Sequence, residues 1–241
     1  QFYPSTLTDY TITAGGRNAT LTLNSTGASP TRLYSAGGNL TLNASTIKQG
    51  GVLRAPFGTL TLNASENLEL APGSLTSVSG DGVTVPFGRG SGGLYWLFPL
   101  DPSGVNNRVI DTPPEKRIAL NGKEINLASG ATVDLSGGGD LYGYEFITGP
   151  GGSNDVLDPN ATGYSTKFAL LPGVYDLATP YDPSEFSASG LKMGDSVYLD
   201  GGAGLAAGWY TLLPAHYALL PGAYLVTPEP GTRDMAPGQS Y

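Results

Sequence analysis

The sequence predicts an all-β protein built as a parallel β-solenoid, and three observations carry that reading. A short strand motif recurs at a fixed period: Leu21-Thr22-Leu23-Asn24, Leu40-Thr41-Leu42-Asn43 and Leu60-Thr61-Leu62-Asn63 lie 19 and 20 residues apart. Gly (36 residues) and Pro (19) make up roughly a quarter of the chain, which suits frequent turns. No segment sustains an apolar period of 3.6, so almost no helix is expected.

Each copy of the motif alternates apolar and polar side chains, the pattern of a strand with one buried face. Four residues cannot bury that face alone. Copies stacked one rung apart would place Leu on Leu and Asn on Asn, and rungs of about twenty residues fit a parallel β-helix better than strand–helix repeats. Residues 1–82 are therefore read as solenoid rungs. Looser echoes at Leu68-Glu69-Leu70-Ala71-Pro72-Gly73-Ser74 and from Ile125 to Ser136 place a tight turn after a strand, as at the corner of a rung.

Residues 83–117 have another texture, with Pro86, Pro99, Pro102, Pro113 and Pro114 around the run Leu94-Tyr95-Trp96-Leu97-Phe98. They read as a Pro-rich aromatic excursion, and residues 118–140 as a return to a rung. Residues 141–226 carry a second repeat: Phe168-Ala169-Leu170-Leu171-Pro172-Gly173-Val174-Tyr175, Tyr210-Thr211-Leu212-Leu213-Pro214-Ala215 and Tyr217-Ala218-Leu219-Leu220-Pro221-Gly222-Ala223-Tyr224. Pro-Gly fits the centre of a type II turn, so each copy reads as strand, turn, strand. Whether this region continues the solenoid or folds as a separate β-subdomain stays open. Residues 227–241 read as a linker or tail.

Composition narrows the partners. Twelve basic against twenty acidic residues give a net charge of −8 with no Lys or Arg cluster. Nucleic acid and anionic membranes are thus unfavoured partners, since both bind through concentrated positive charge. Cysteine is absent, which removes disulfides, thiolate metal sites and cysteine nucleophiles. Leu205 to Val226 is apolar but holds Pro214, His216 and Pro221, so it reads as short buried strands rather than a membrane span. No signal peptide is recognised, and the chain is expected to be a mature or excised piece.

With the Leu-Thr-Leu-Asn rungs, the Gly130–Gly139 run Gly-Ala-Thr-Val-Asp-Leu-Ser-Gly-Gly-Gly and the Leu-Leu-Pro units in view, the chain resembles large exoproteins of the filamentous haemagglutinin family. That resemblance implies a right-handed parallel β-helix, exported by two-partner secretion through an outer-membrane transporter. It places the chain at the exterior of a Gram-negative cell, in adhesion, biofilm formation or contact-dependent inhibition. The Asn-Pro-Asn motifs of the family's secretion domain are missing, and Arg89-Gly90 is followed by Ser91 rather than Asp. The likeness is to the shaft.

Candidate chemistry is sparse. His216, the single histidine, sits inside an apolar repeat with no nucleophile motif to serve. A β-helix carbohydrate-active enzyme would need paired carboxylates; Asp134, Asp140 and Glu145 form the best local group, then Asp155, Asp158 and Asn160, and turn capping explains both. Gly201-Gly202-Ala203-Gly204-Leu205-Ala206 has Ala206 where a calcium β-roll places Asp, so no metal site and no cofactor are expected, although Asp155 and Asp158 could take adventitious calcium.

Six Asn-x-Ser/Thr triplets begin at Asn18, Asn24, Asn39, Asn43, Asn63 and Asn160. Asn24, Asn43 and Asn63 are glycosylation candidates, with stacked Asn ladders as the structural explanation of the same three. Tyr95, Trp96, Tyr142, Tyr144, Trp209 and Tyr210 lie in or beside Gly-rich stretches, where exposed rings could stack on sugars or anchor a protein; core packing accounts for them equally well.

The expected function is structural and adhesive, not enzymatic: a secreted cell-surface segment that binds a glycan or protein of a host or neighbouring cell. The alternatives are the stalk or receptor-contacting part of a contact-dependent inhibition effector, and the carbohydrate-active enzyme. Open end rungs expose unpaired strand edges, so end-to-end self-association or capping by the termini is also expected.

Overall fold

The computed structural model describes the whole chain except residues 3, 5, 29, 31, 99–107, 159–160, 164–165, 175–190 and 229–241. Tyr175, Asn160 and all but the first two residues of the expected tail fall outside the described residues. The fold is all-β with almost no helix. In chain order the strands are β1 (Asp9–Thr13), β2 (Thr20–Asn24), β3 (Asn39–Gly50), β4 (Val52–Arg54), β5 (Thr59–Leu70), β6 (Leu75–Ser77), β7 (Thr84–Ser91), β8 (Tyr95–Phe98) and β9 (Arg108–Val109). There follow β10 (Arg117–Asn121), β11 (Glu124–Leu127), β12 (Thr132–Asp134), β13 (Asp140–Tyr144), β14 (Phe168–Leu170), β15 (Ser196–Leu199), β16 (Gly208–Thr211), β17 (Leu213–Pro214) and β18 (Tyr224–Val226). A 3-10 helix spans Ala215–Leu219. The chain forms two compact units, residues 1–84 with 113–140 and residues 85–112 with 141–241.

The first unit holds two parallel sheets. In one, β3 and β5 pair along their length, with Leu40 on Leu60, Leu42 on Leu62 and Asn43 on Asn63. β1 and β2 both pair with β3, and β10 and β11 both pair with β5. The second sheet runs β12-β6-β4, also parallel. The core follows from the alternation: Leu40, Leu42, Ile47, Leu60, Leu62, Leu68 and Leu70 point inward and are buried, while the intervening Thr, Lys and Glu point out.

One expected alignment is corrected. The Leu21 copy does not lie on Leu40; Leu21 pairs with Ile47 and Leu23 with Gln49, in the second half of β3. The place beside Leu40 and Leu42 belongs to Tyr10 and Ile12. β3 is twelve residues long and offers two alternating stretches, separated by a register shift between Ala44 and Thr46. A Leu-x-Leu pattern satisfies either.

Polar columns bind the same layers. Asn43 Nδ2 donates to Thr13 Oγ1 (3.1 Å), Asn63 Nδ2 to Asn43 Oδ1 (2.9 Å) and Asn121 Nδ2 to Asn63 Oδ1 (2.8 Å). Asn24 lies opposite Gly50 and takes no place in this ladder, whereas Asn121 does. At the corner between β3 and β4, the fully buried Gln49 amide donates to the carbonyls of Gly51 (3.1 Å) and Leu75 (3.0 Å) and accepts from Gly51 N–H (3.1 Å). Its polar atoms are satisfied, which removes most of the desolvation cost of placing an amide there. The turns after β5 and β11 are stacked as well, Gly73 N–H donating to the Gly130 carbonyl at 3.0 Å.

In the second unit β13, β7, β8 and β9 form one sheet in that order, with β7-β8 and β8-β9 antiparallel. β14 lies antiparallel between β17 and β18, and β15 pairs antiparallel with β16. The Leu-Leu-Pro region is therefore built of small antiparallel sheets, which settles how its strands pair. Its Pro-Gly turns form as expected: Val174 N–H closes on the Leu171 carbonyl (3.1 Å) and Ala223 N–H on that of Leu220 (3.0 Å), with Gly173 and Gly222 at φ near +80°. The Pro214-Ala215 copy departs from the expected turn. Alanine takes positive φ only with strain, and the chain there enters the 3-10 helix instead.

Candidate binding surface

Tyr142, Gly143 and Tyr144 follow one another on β13, so the two tyrosines share a face and Gly143 lies on the other. A side chain at Gly143 would occupy the space taken by the Trp96 ring, with a Cβ only 1.6 Å from Trp96 Cη2. Trp96 thus lies across β13 on the Gly143 face, anchored by its indole N–H donating to the Phe87 carbonyl at 2.6 Å. Tyr95 precedes it on β8 and projects to the opposite face, that of Tyr142 and Tyr144. Glu145 returns to the Gly143 face, where it accepts from Gly93 N–H at 2.8 Å.

On the tyrosine face, Tyr95 (57% exposed) and Tyr142 (39%) present their rings to solvent, and Leu94, in the turn before Tyr95, is 80% exposed. Tyr144 is held back. Its hydroxyl lies 3.0 Å from the Leu157 carbonyl and 3.4 Å from Asp155 Oδ2, and burial, then the Asp155 carboxylate, push its phenol well above the ordinary tyrosine value. Arg89 closes the group, 3.3 Å from Asp158 and 3.9 Å from Asp155. Asp155 also caps its own turn, accepting from Leu157 N–H at 2.9 Å. The cation facing these two carboxylates is the Arg89 guanidinium.

The six aromatic candidates thus separate. Tyr95 and Tyr142 share an open face; Trp96 lies on the reverse, and Tyr144 is committed to an internal network. Trp209 on β16 is 44% exposed and meets Tyr198 edge to face at 5.5 Å, while its neighbour Tyr210 is buried and donates to the Ala206 carbonyl at 2.8 Å. All six stand on strands: Tyr95 and Trp96 on β8, Tyr142 and Tyr144 on β13, Trp209 and Tyr210 on β16.

The carboxylate candidates are similarly engaged. Asp134 accepts from the Ser136 hydroxyl (2.6 Å) and amide (3.0 Å) and from Ser77 (2.9 Å), and the Ser136 bonds, ahead of the Ser77 one, hold its carboxyl below the usual range. Asp140 opens β13. His216 is buried in the 3-10 helix against the rings of Phe98 and Tyr217. Among the described residues no three His, Cys, Asp or Glu side chains gather as a metal site, and no helix is long and apolar enough to cross a membrane.

Of the glycosylation candidates, Asn24 is exposed; Asn43 and Asn63 line a shallow depression of about 380 Å³ with Thr13, Ser45 and Ser65. Asn121, the fourth member of the ladder, lies outside the three Leu-Thr-Leu-Asn copies, although Arg117-Ile118-Ala119-Leu120-Asn121 has their alternation. Comparison with known proteins finds no matching family model, no matching curated protein and no matching solved structure.

Proposed function

We propose that the chain is a structural and adhesive segment of a secreted bacterial surface exoprotein. On this reading the first unit is a length of right-handed parallel β-helix, and the second presents a binding face to a glycan or protein of a host or neighbouring cell. The observation that carries the reading is the exposure of Tyr95 and Tyr142 on one face of the same sheet, on strands either side of β7, beside the Arg89, Asp155 and Tyr144 network. Rings held on strands lose little side-chain freedom on binding, and aromatic platforms suit both sugar faces and protein anchors. The local geometry favours binding over catalysis, because Asp134 and Asp155 cap their own turns and Asp158 is held in an ion pair with Arg89.

The test is a glycan array and a cell-binding assay with the full chain. Tyr95→Ala and Tyr142→Ala are expected to weaken binding by about 5- to 30-fold each, the loss of an interface anchor. Unchanged binding by the double variant, or no ligand among surface glycans and proteins, rejects the reading.

A further inference from the structure

We propose that the two open edges of the first unit are complementary, so that β10 and β11 of one copy pair in parallel with β1 and β2 of a second copy. The buried columns are cut at both edges. Leu40 and Leu60 continue to Ile118 on one side and Tyr10 on the other; Leu42 and Leu62 continue to Leu120 and Ile12; Ile47 and Leu68 continue to Ile125 and Leu21. Interior members are at most 1% exposed, whereas Tyr10 is 49%, Ile125 44% and Leu127 54% exposed. Among the described residues neither pair of edge strands has a partner on its outer side.

Extending the existing register by one layer sets Tyr10 of the next copy over Ile118, Ile12 over Leu120, Leu21 over Ile125 and Leu23 over Leu127. Every apolar residue meets an apolar one. The polar columns match as well. The column Asp9, Asn39, Thr59, Arg117 begins with an acid and ends with a base, so Asp9 of one copy meets Arg117 of the other. Arg117 faces Glu115 through Nε at 3.3 Å, which leaves its terminal amino groups to reach outward. In the ladder Thr13, Asn43, Asn63, Asn121, each amide donates toward Thr13; Thr13 keeps its hydroxyl hydrogen and Asn121 its Oδ1 acceptor. One end offers a donor where the other offers an acceptor. A second copy is the occupant that satisfies the apolar, charged and hydrogen-bonding columns in one register, and an exposed strand edge is a template for such pairing.

The inference rests on the parallel register and not on the aromatic face; ligand binding by a strictly monomeric chain would keep the proposed function and reject the stacking. The experiment is sedimentation equilibrium of the full chain across a wide concentration range at low salt. The mass is expected to rise with concentration. Asp9→Arg and Arg117→Asp each set like charges across the junction and are expected to raise the association midpoint about fivefold or more when studied alone. An equimolar mixture of the two variants restores association, since the introduced arginine at position 9 meets the introduced aspartate at position 117, and native Arg117 meets native Asp9. Ile125→Lys, at an exposed position, abolishes association in every combination and decides the matter even if a charge reversal fails to fold. A mass of one chain at every concentration overturns the proposal, as does association indifferent to Ile125→Lys or a mixture that does not recover.

Discussion

Asn63 donates its side-chain amide to Oδ1 of Asn43 across 2.9 Å, one layer away in the same parallel sheet. The bond is one of three in a row, so a change at Asn63 breaks the bond it donates and the one it accepts from Asn121. Asn63→Ala is expected to lower stability by about 1–2 kcal/mol, and Asn63→Asp by at least as much, because it sets two acceptors against Asn43 Oδ1. Urea unfolding followed by far-ultraviolet circular dichroism reads both; a midpoint unchanged in either variant contradicts the ladder's role.

Leu62 lies between Leu42 and Leu120 and is fully buried, while Leu127 lies at the edge and is 54% exposed. Leu62→Ala is expected to cost about 2–5 kcal/mol, whereas Leu127→Ala costs under about 1 kcal/mol in the monomer, most of its surface being in water already. Comparable losses at the two positions, measured by chemical denaturation at low protein concentration, contradict the placement of the core.

Gln49 satisfies Gly51 and Leu75 from inside the first unit. Gln49→Leu leaves the Gly51 N–H and the Leu75 carbonyl without that amide, at a cost of about 1–3 kcal/mol for each group left unmet. Thermal melts should show a large drop. A variant as stable as the native chain would mean that the amide contributes nothing at that corner.

Gly143 gives the Trp96 ring its seat. In a Trp209→Phe background, where Trp96 is the single indole, Gly143→Ala should shift the emission to the red as the ring is expelled toward solvent. An unmoved spectrum contradicts the packing.

The Tyr144 phenol is raised above the ordinary value of 10.0 by burial and by Asp155. The folded state therefore holds that proton more tightly than the unfolded chain does. The associated stability is fully present below about pH 10 and is lost as pH rises further. Between about pH 8 and pH 11, the native chain should lose more stability than Tyr144→Phe, which has no such proton to lose. Urea midpoints that fall equally in both remove Tyr144 from the account.

The strand content and the inward leucines were legible because a period of two over Leu40–Asn43 and Leu60–Asn63 has one structural meaning. Register was less legible. Asp9-Tyr10-Thr11-Ile12-Thr13 shares the alternation of its neighbours but not their residues, so the more similar Leu21 copy took its place in the sequence alignment. The aromatic residues were the least legible. Alternation cannot distinguish the exposed Tyr142 from Tyr144, because both occupy the same face of β13 and only the turn carrying Asp155 and Leu157 covers one of them. The partnership of Arg89 with Asp155 and Asp158 left no local signal either, since more than sixty residues separate the ions.

The most direct test of the first unit uses the absence of cysteine, which makes paired substitutions unambiguous. Thr22 and Lys48 are exposed neighbours in the parallel register, within the 4.4–6.8 Å Cα range typical of disulfides at a parallel spacing of about 4.8 Å. Thr22 and Thr41, which the sequence copies would align, are separated by seven residues of β3, about 23 Å of strand at about 3.3 Å each. Mild oxidation is expected to close a disulfide in the Thr22→Cys/Lys48→Cys chain and not in the Thr22→Cys/Thr41→Cys chain. Closure of the second pair in preference to the first would contradict the layered register on which the core, the ladder and the proposed stacking all depend.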